Sequence, residues 1–141
     1  MRVEISDEAR RYIGVFDELT DVTPLDCLVQ DDHDRVVFLV PAGEMSDAVG
    51  PGGRTVDRVE SELGVDVDLV EDAPTPEAFV ANALSPAAVR GVTISEQNDT
   101  VAYVEVAEAD RGVAIGTGGR NIEAARELAR RHFDIDDVQL A

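Results

Sequence analysis

The sequence predicts an α/β fold of the α+β type, built as two tandem units of order α-β-β-α-GxxG-α-β, each with a three-stranded sheet. Three observations predict it. The 141-residue chain repeats itself at an offset of 66 residues, Gly50 falling on Gly116. Each repeat carries two aliphatic runs separated by a polar turn, the pattern of a β-hairpin. Each then carries a glycine cluster that leads into an amphipathic helix.

The repeat is specific. Laying Glu44–Asp57 (EMSDAVGPGGRTVD) over Asp110–Glu123 (DRGVAIGTGGRNIE) leaves five of fourteen positions identical and four conservatively replaced. The identities include Gly50/Gly116, Gly52/Gly118, Gly53/Gly119 and Arg54/Arg120. At the same offset Cys27–Val40 overlies Thr93–Val106, with polar turns at Asp31–Asp34 and Gln97–Thr100. A duplication of this period defines the architecture before any single element does. Domains are expected over residues 1–72 and 73–141, joined by the linker Glu71–Pro76. A unit this short buries little surface alone, so the two are expected to pack as a rigid pair.

The elements follow in order. Ser6 is a suitable N-cap, with Asp7 and Glu8 favourably placed in the first turn. Ala9, Tyr12, Ile13, Phe16 and Leu19 then recur at helical spacing. The hairpin Cys27–Val40 comes next, and Cys27 reads as a small buried hydrophobe. A short helical stretch runs into Gly50-Pro51-Gly52-Gly53, and the helix that leaves it carries Val56, Val59 and Leu63 to a stop at Gly64. Val65–Leu69 alternates and closes the unit as a strand. The second unit restarts at Thr75-Pro76-Glu77, with proline at the first helical position, and Phe79, Val80, Ala83 and Leu84 form the apolar stripe. Past the hairpin Thr93–Val106 and the second glycine cluster, Ile122, Ala125, Ala129 and Phe133 mark a longer helix. Asp136–Leu140 is the final strand.

Composition limits the function classes. Hydrophobic residues make up 44% of the chain, but aromatics only 4% and Trp is absent, so the core is assembled from small aliphatics. No apolar run approaches the ~20 residues that cross a bilayer. Met1–Asp7 shows no apolar region of a signal peptide. The single cysteine, Cys27, cannot form an internal disulfide. A soluble, cytoplasmic protein with no membrane partner is expected. Thirty Asp and Glu oppose twelve basic residues, all of them Arg, for a net charge of −18. Such a surface is suited to molar salt, where the Debye length shrinks to ~3 Å and self-repulsion is screened. The acidity therefore reads as halophilic adaptation, and in that setting it does not argue against nucleic-acid binding.

The glycine loops carry the chemistry. Their first and fourth glycines (Gly50 and Gly53, Gly116 and Gly119) permit backbone angles closed to other residues and let a phosphodiester approach without a Cβ in the way. The outgoing helix offers unsatisfied N–H groups and the positive end of its dipole. Val49 and Ile115 are expected to anchor the loops in the core, and Arg54 and Arg120 to add charge-assisted contacts. Neither loop is a Walker A motif, because no Lys-Ser/Thr pair follows. Neither fits a dinucleotide fingerprint, because a hairpin and not a βαβ crossover precedes it.

With these loops in place, the order of elements resembles the type II KH RNA-binding module, whose GXXG loop clamps four backbone nucleotides. The second unit narrows the resemblance. Phe79–Pro86 (FVANALSP), followed by Ile115-Gly116-Thr117-Gly118-Gly119-Arg120-Asn121-Ile122, is similar to the KH pair of the NusA-like family. The likeness covers essentially the whole chain, whose length resembles that of the short archaeal members. It implies a single-stranded-RNA-binding factor in transcription termination or antitermination, with RNA polymerase or other transcription factors as further partners. It implies phosphates lying across Gly50, Pro51, Gly52 and Gly53 with Arg54 assisting, and across Gly116, Thr117, Gly118 and Gly119 with Arg120 and Asn121 assisting. Bases would enter an apolar groove to which Val49, Val56, Ile115 and Ile122 contribute. One feature departs from the family pattern: KH loops often carry a basic residue between their glycines, where this chain has Pro51-Gly52 and Thr117-Gly118. Pro51 has no N–H to offer a phosphate, so the stronger grip is expected at the second loop.

No enzyme is expected, because no Ser/His/Asp or Cys/His set suggests nucleophilic catalysis, and no cofactor is implied. No metal site is expected either. Asp31, Asp32, His33 and Asp34 lack the glycine and distal glutamate of an EF-hand loop and read as a solvated turn. Arg130, Arg131 and His132 read as groups that complement a helix C-terminus, with RNA contact as the alternative for the two arginines. Two other functions stay open: a KH module that docks on RNA polymerase without binding RNA, and a KH protein associated with ribosomes or RNA processing.

Overall fold

The computed structural model describes residues 5–141; Met1–Glu4, part of the segment read above for a signal peptide, lies outside the described residues. Contacts divide the chain between Asp72 and Ala73 into two compact units.

The first unit runs α1 (Asp7–Thr20), β1 (Asp26–Gln30), β2 (Arg35–Val40), α2 (Met45–Val49), α3 (Arg54–Leu63) and β3 (Asp66–Glu71). Ser6 caps α1 as expected, its hydroxyl accepting from the Ala9 N–H at 3.1 Å. Gly64 ends α3 in the left-handed conformation at φ 71°. In the sheet β2 is central: β1 pairs with it antiparallel, Cys27 opposite Phe38, and β3 pairs parallel, Phe38 opposite Leu69. Every residue of β2 is buried, which fits the unbroken apolar run Val36–Val40 that follows Arg35. The helices lie over the face that carries Val36, Phe38 and Val40, and the Phe16 and Phe38 rings stack with centroids 4.4 Å apart.

The second unit repeats the plan with α4 (Pro76–Ala83), β4 (Val89–Glu96), β5 (Thr100–Val106), α5 (Arg111–Ile115), α6 (Arg120–Phe133) and β6 (Asp137–Leu140). Thr75 caps α4 by accepting from the Ala78 N–H at 3.2 Å. Again the middle strand, β5, pairs antiparallel on one side and parallel on the other. Phe79 is fully buried and packs 4.9 Å from the Phe133 ring. Burying one such ring contributes about 2–3 kcal/mol, a large share for so small a core.

Two strand boundaries differ from expectation. β4 begins at Val89, ahead of Thr93, because a bulge between Val89 and Gly91 lets the strand continue through a polar, glycine-containing stretch. β3 runs to Glu71 instead of ending at Leu69, held by pairing of Val70 and Glu71 with Leu39 and Val40. As the longer apolar span from Ile122 to Phe133 implies, the 66-residue offset does not extend past the glycine loops: α6 has 14 residues against 10 in α3. Arg35 accordingly pairs with Asp66, whereas its repeat counterpart Val101 pairs with Asp137 and not with residue 132.

Candidate nucleic-acid interface

Each glycine loop joins a five-residue helix to a long one, and the two loops have the same backbone. Gly50 has φ 75°, ψ 171° and Gly116 φ 78°, ψ 170°. Gly52 and Gly118 lie at φ 61° and 62°, and Gly53 and Gly119 at φ 78° and 82°. Three left-handed residues in four leave glycine as the unstrained choice at each. The first glycine of each loop is also held by contact. A Cβ on Gly50 would collide with the Thr55 side chain, reaching its Cβ at 2.7 Å, and one on Gly116 would lie 2.6 Å from Asn121 Cγ. The last glycine of the first loop differs: nothing lies within 4 Å of a Cβ on Gly53.

The loops are closed internally by short bonds. Gly53 N–H donates to the Gly50 carbonyl at 3.1 Å, and Gly119 N–H to the Gly116 carbonyl at 3.0 Å. Arg54 and Arg120 N–H groups donate to the Pro51 and Thr117 carbonyls. Past this one-turn closure α3 and α6 begin, and the first amides of an α-helix have no carbonyl of their own helix to donate to. Such an arrangement can receive an anion.

Side chains then distinguish the two loops. Arg54 is exposed beside the first, whereas Arg120 is half-buried and has interactions of its own. Pro51 and Thr117 are both exposed at the tips. Asn121 is not simply an added donor, since its Nδ2 donates to the Val113 carbonyl at 2.7 Å and ties α6 to α5. The expected anchors also need correction. Ile115 is 41% exposed and Val49 half-buried; the fully buried residues of these short helices are Ala48 and Ala114. A methyl is what fits there, because α2 and α5 lie close against the helices that follow. Among the groove residues Val56 is half-buried, Ile115 exposed, and Ile122 only 6% exposed and so part of the core.

Two neighbours of the second loop were not singled out from the sequence. Val113 is 43% exposed where the first unit has Asp47. Glu123 places Oε1 3.6 Å from the position of a Cβ on Gly119. Val113 and Ile115 are two residues apart in a five-residue helix, a spacing that marks no common helix face, so periodicity offered no signal there.

The arginines near the end of α6 are committed elsewhere. Arg130, Arg131 and His132 fall in the last turn of α6 as expected, and Glu127 one turn back accepts from Arg130 and from Arg131 Nε, the latter at 3.0 Å. Burial works to raise the Glu127 carboxyl, but the hydrogen bonds and charges of Arg130 and Arg131 outweigh it and hold it below the usual carboxylate range. His132 lies against the Phe79 ring, centroids 5.8 Å apart. Asp31–His33 form a 3₁₀ turn, closed by Asp34 at φ 48°. Cys27 is buried at 2% exposure. No helix among the described residues is long and apolar enough to cross a membrane.

Comparison with known proteins gives the family and the fold. Residues 10–74 match the family model of the KH domain, and residues 76–141 that of the NusA-like second KH domain. The chain is 63% identical over 140 residues to the probable transcription termination protein NusA of Halobacterium salinarum, covering 99% of each chain. With the protein of the same description from Halococcus morrhuae it shares 60% identity over 141 residues and 100% of both chains. The chain belongs to the NusA family. Both relatives come from halophilic archaea, in keeping with the acidic, lysine-free composition. The crystal structure of APE1850 superposes with a TM-score of 0.84 at 33% identity, covering 97% of this chain and 100% of that one. The tandem KH architecture is thereby that of the family, with its two three-stranded sheets.

Proposed function

We propose that this NusA-family chain is a single-stranded-RNA-binding factor of transcription termination or antitermination that holds RNA by its phosphates at the two glycine loops. The observation that carries the reading is the near-identity of the loop backbones, Gly50/Gly116 and Gly53/Gly119 differing by only a few degrees in φ, each set at the start of a long helix. Phosphates lie across Gly50–Gly53 with Arg54 assisting, and across Gly116–Gly119 with Arg120 assisting. Thr117 supplies a backbone N–H where Pro51 has none, which makes the second loop the stronger. Base contacts are made by Val49, Val56 and Ile115, joined by Val113. With few aromatics, stacking contributes less than aliphatic contact. RNA polymerase or another transcription factor is the further partner, a reading supported by the likeness to termination proteins.

The test is fluorescence anisotropy of a labelled single-stranded RNA in multimolar KCl. Wild type is compared with Thr117→Asp/Gly118→Asp and, separately, Pro51→Asp/Gly52→Asp, with circular dichroism as the check on folding. Binding lost in the second-loop variant and weakened less in the first supports the clamp. Binding absent from wild type, or unchanged in both variants, transfers the function to protein docking.

A further inference from the structure

We propose that Glu123 sets the affinity of the second glycine loop for RNA: its carboxylate stands over Gly119 and must turn away or be screened before a phosphate settles there. The inference rests on the phosphate-clamp reading above. Glu123 lies one turn into α6, and its Oε1 comes within 3.6 Å of the point where a side chain on Gly119 would begin. The first loop serves as an internal control. Its counterpart residue is Asp57, one methylene shorter, and no atom lies within 4 Å of the same point on Gly53. The loops share a backbone, so the difference comes from the side chain alone.

The physical consequence concerns salt. A helix N-terminus favours a nearby negative charge, whether carboxylate or phosphate. Two anions at one N-terminus repel, over a range of ~10 Å at 0.1 M salt and ~3 Å at 1 M. Rising salt weakens the attraction of RNA phosphates to the protein. At the second loop it also removes the repulsion from Glu123. The two effects oppose, so the affinity of the second loop falls less steeply with salt than it would with an uncharged residue at this position.

The experiment measures RNA affinity by anisotropy, using a short labelled single-stranded RNA of mixed sequence, from dilute to multimolar KCl. Wild type, Glu123→Gln, Glu123→Ala and Asp57→Asn are compared, each verified as folded by circular dichroism. Both Glu123 variants are expected to bind about threefold tighter than wild type in dilute salt, a gain typical of one charge at a helix terminus. The gain disappears in multimolar KCl, so affinity falls more steeply with salt in the variants. Asp57→Asn changes affinity less. Glu123 variants no tighter than wild type in dilute salt overturn the proposal. An equal gain from Asp57→Asn also overturns it, because the effect is then one of general charge and not of the contact at Gly119. RNA bound alike by all four removes this inference and leaves the clamp; RNA bound by none removes both.

Discussion

The Asn121 side chain donates to the carbonyl oxygen of Val113 at 2.7 Å, joining the helix that leaves the second glycine loop to the helix that enters it. Gly116 lies beneath this bridge, with no room for a Cβ against Asn121. The loop is therefore shaped from outside as well as by its own backbone angles. Asn121→Ala removes one hydrogen bond and is expected to cost about 1 kcal/mol of stability. Urea unfolding measures the loss, and faster hydrogen exchange at Gly116–Gly119 locates it.

Glycines within one loop differ in what they tolerate. Gly116→Ala combines a left-handed φ of 78° with a collision at Asn121. Gly53→Ala has only the φ to contend with. The first is expected to cost about 3 kcal/mol and the second about 1–2 kcal/mol. Thermal unfolding of the two variants ranks them, and the same order is expected for Gly50→Ala against Gly53→Ala.

Arg35 is 5% exposed, with Asp68 at 2.5 Å and Gln30 at 3.2 Å. Asp68→Ala leaves that guanidinium buried without its carboxylate. Because Asp68 itself is 42% exposed, the loss is expected to be about 2 kcal/mol, below that of a fully buried pair. Arg35→Met together with Asp68→Ala should recover part of it, as a double-mutant cycle would show.

Glu127 gives the fold a dependence on acid. Its folded-state carboxyl is held below the usual range despite burial, by Arg130 and Arg131. A lowered folded value means that the contribution is fully present above the unfolded carboxylate range and is lost as pH falls through the folded value. The stability difference between wild type and Glu127→Gln should therefore shrink steadily on the acid side. Chemical denaturation at a series of pH values, in moderate salt, follows it.

Most of the fold was legible in the sequence because the chain states it twice. Serine and threonine caps, Gly64 as a helix stop and the alternating hairpins act locally, and local signals survive in sequence. What was not legible depended on contact. Ala48 and Ala114, not Val49 and Ile115, are buried because two helices approach there at methyl distance. The start of β4 was hidden by Gly91, which a bulge accommodates. The glycine loops themselves were fully legible, but their neighbours were not. The reach of Glu123 to Gly119 and the bridge from Asn121 to Val113 depend on rotamers across a turn, which no residue spacing encodes.

The central claim is that RNA lies on the two glycine loops. Its most direct test is a titration of the isotopically labelled protein with a short single-stranded RNA in concentrated KCl, followed by amide chemical shifts. The account predicts that perturbed amides cluster at Gly116–Ile122, with a weaker cluster at Gly50–Val56, while the α4 and α1 N-termini stay unmoved. Shifts absent altogether, or gathered away from both loops, would contradict it.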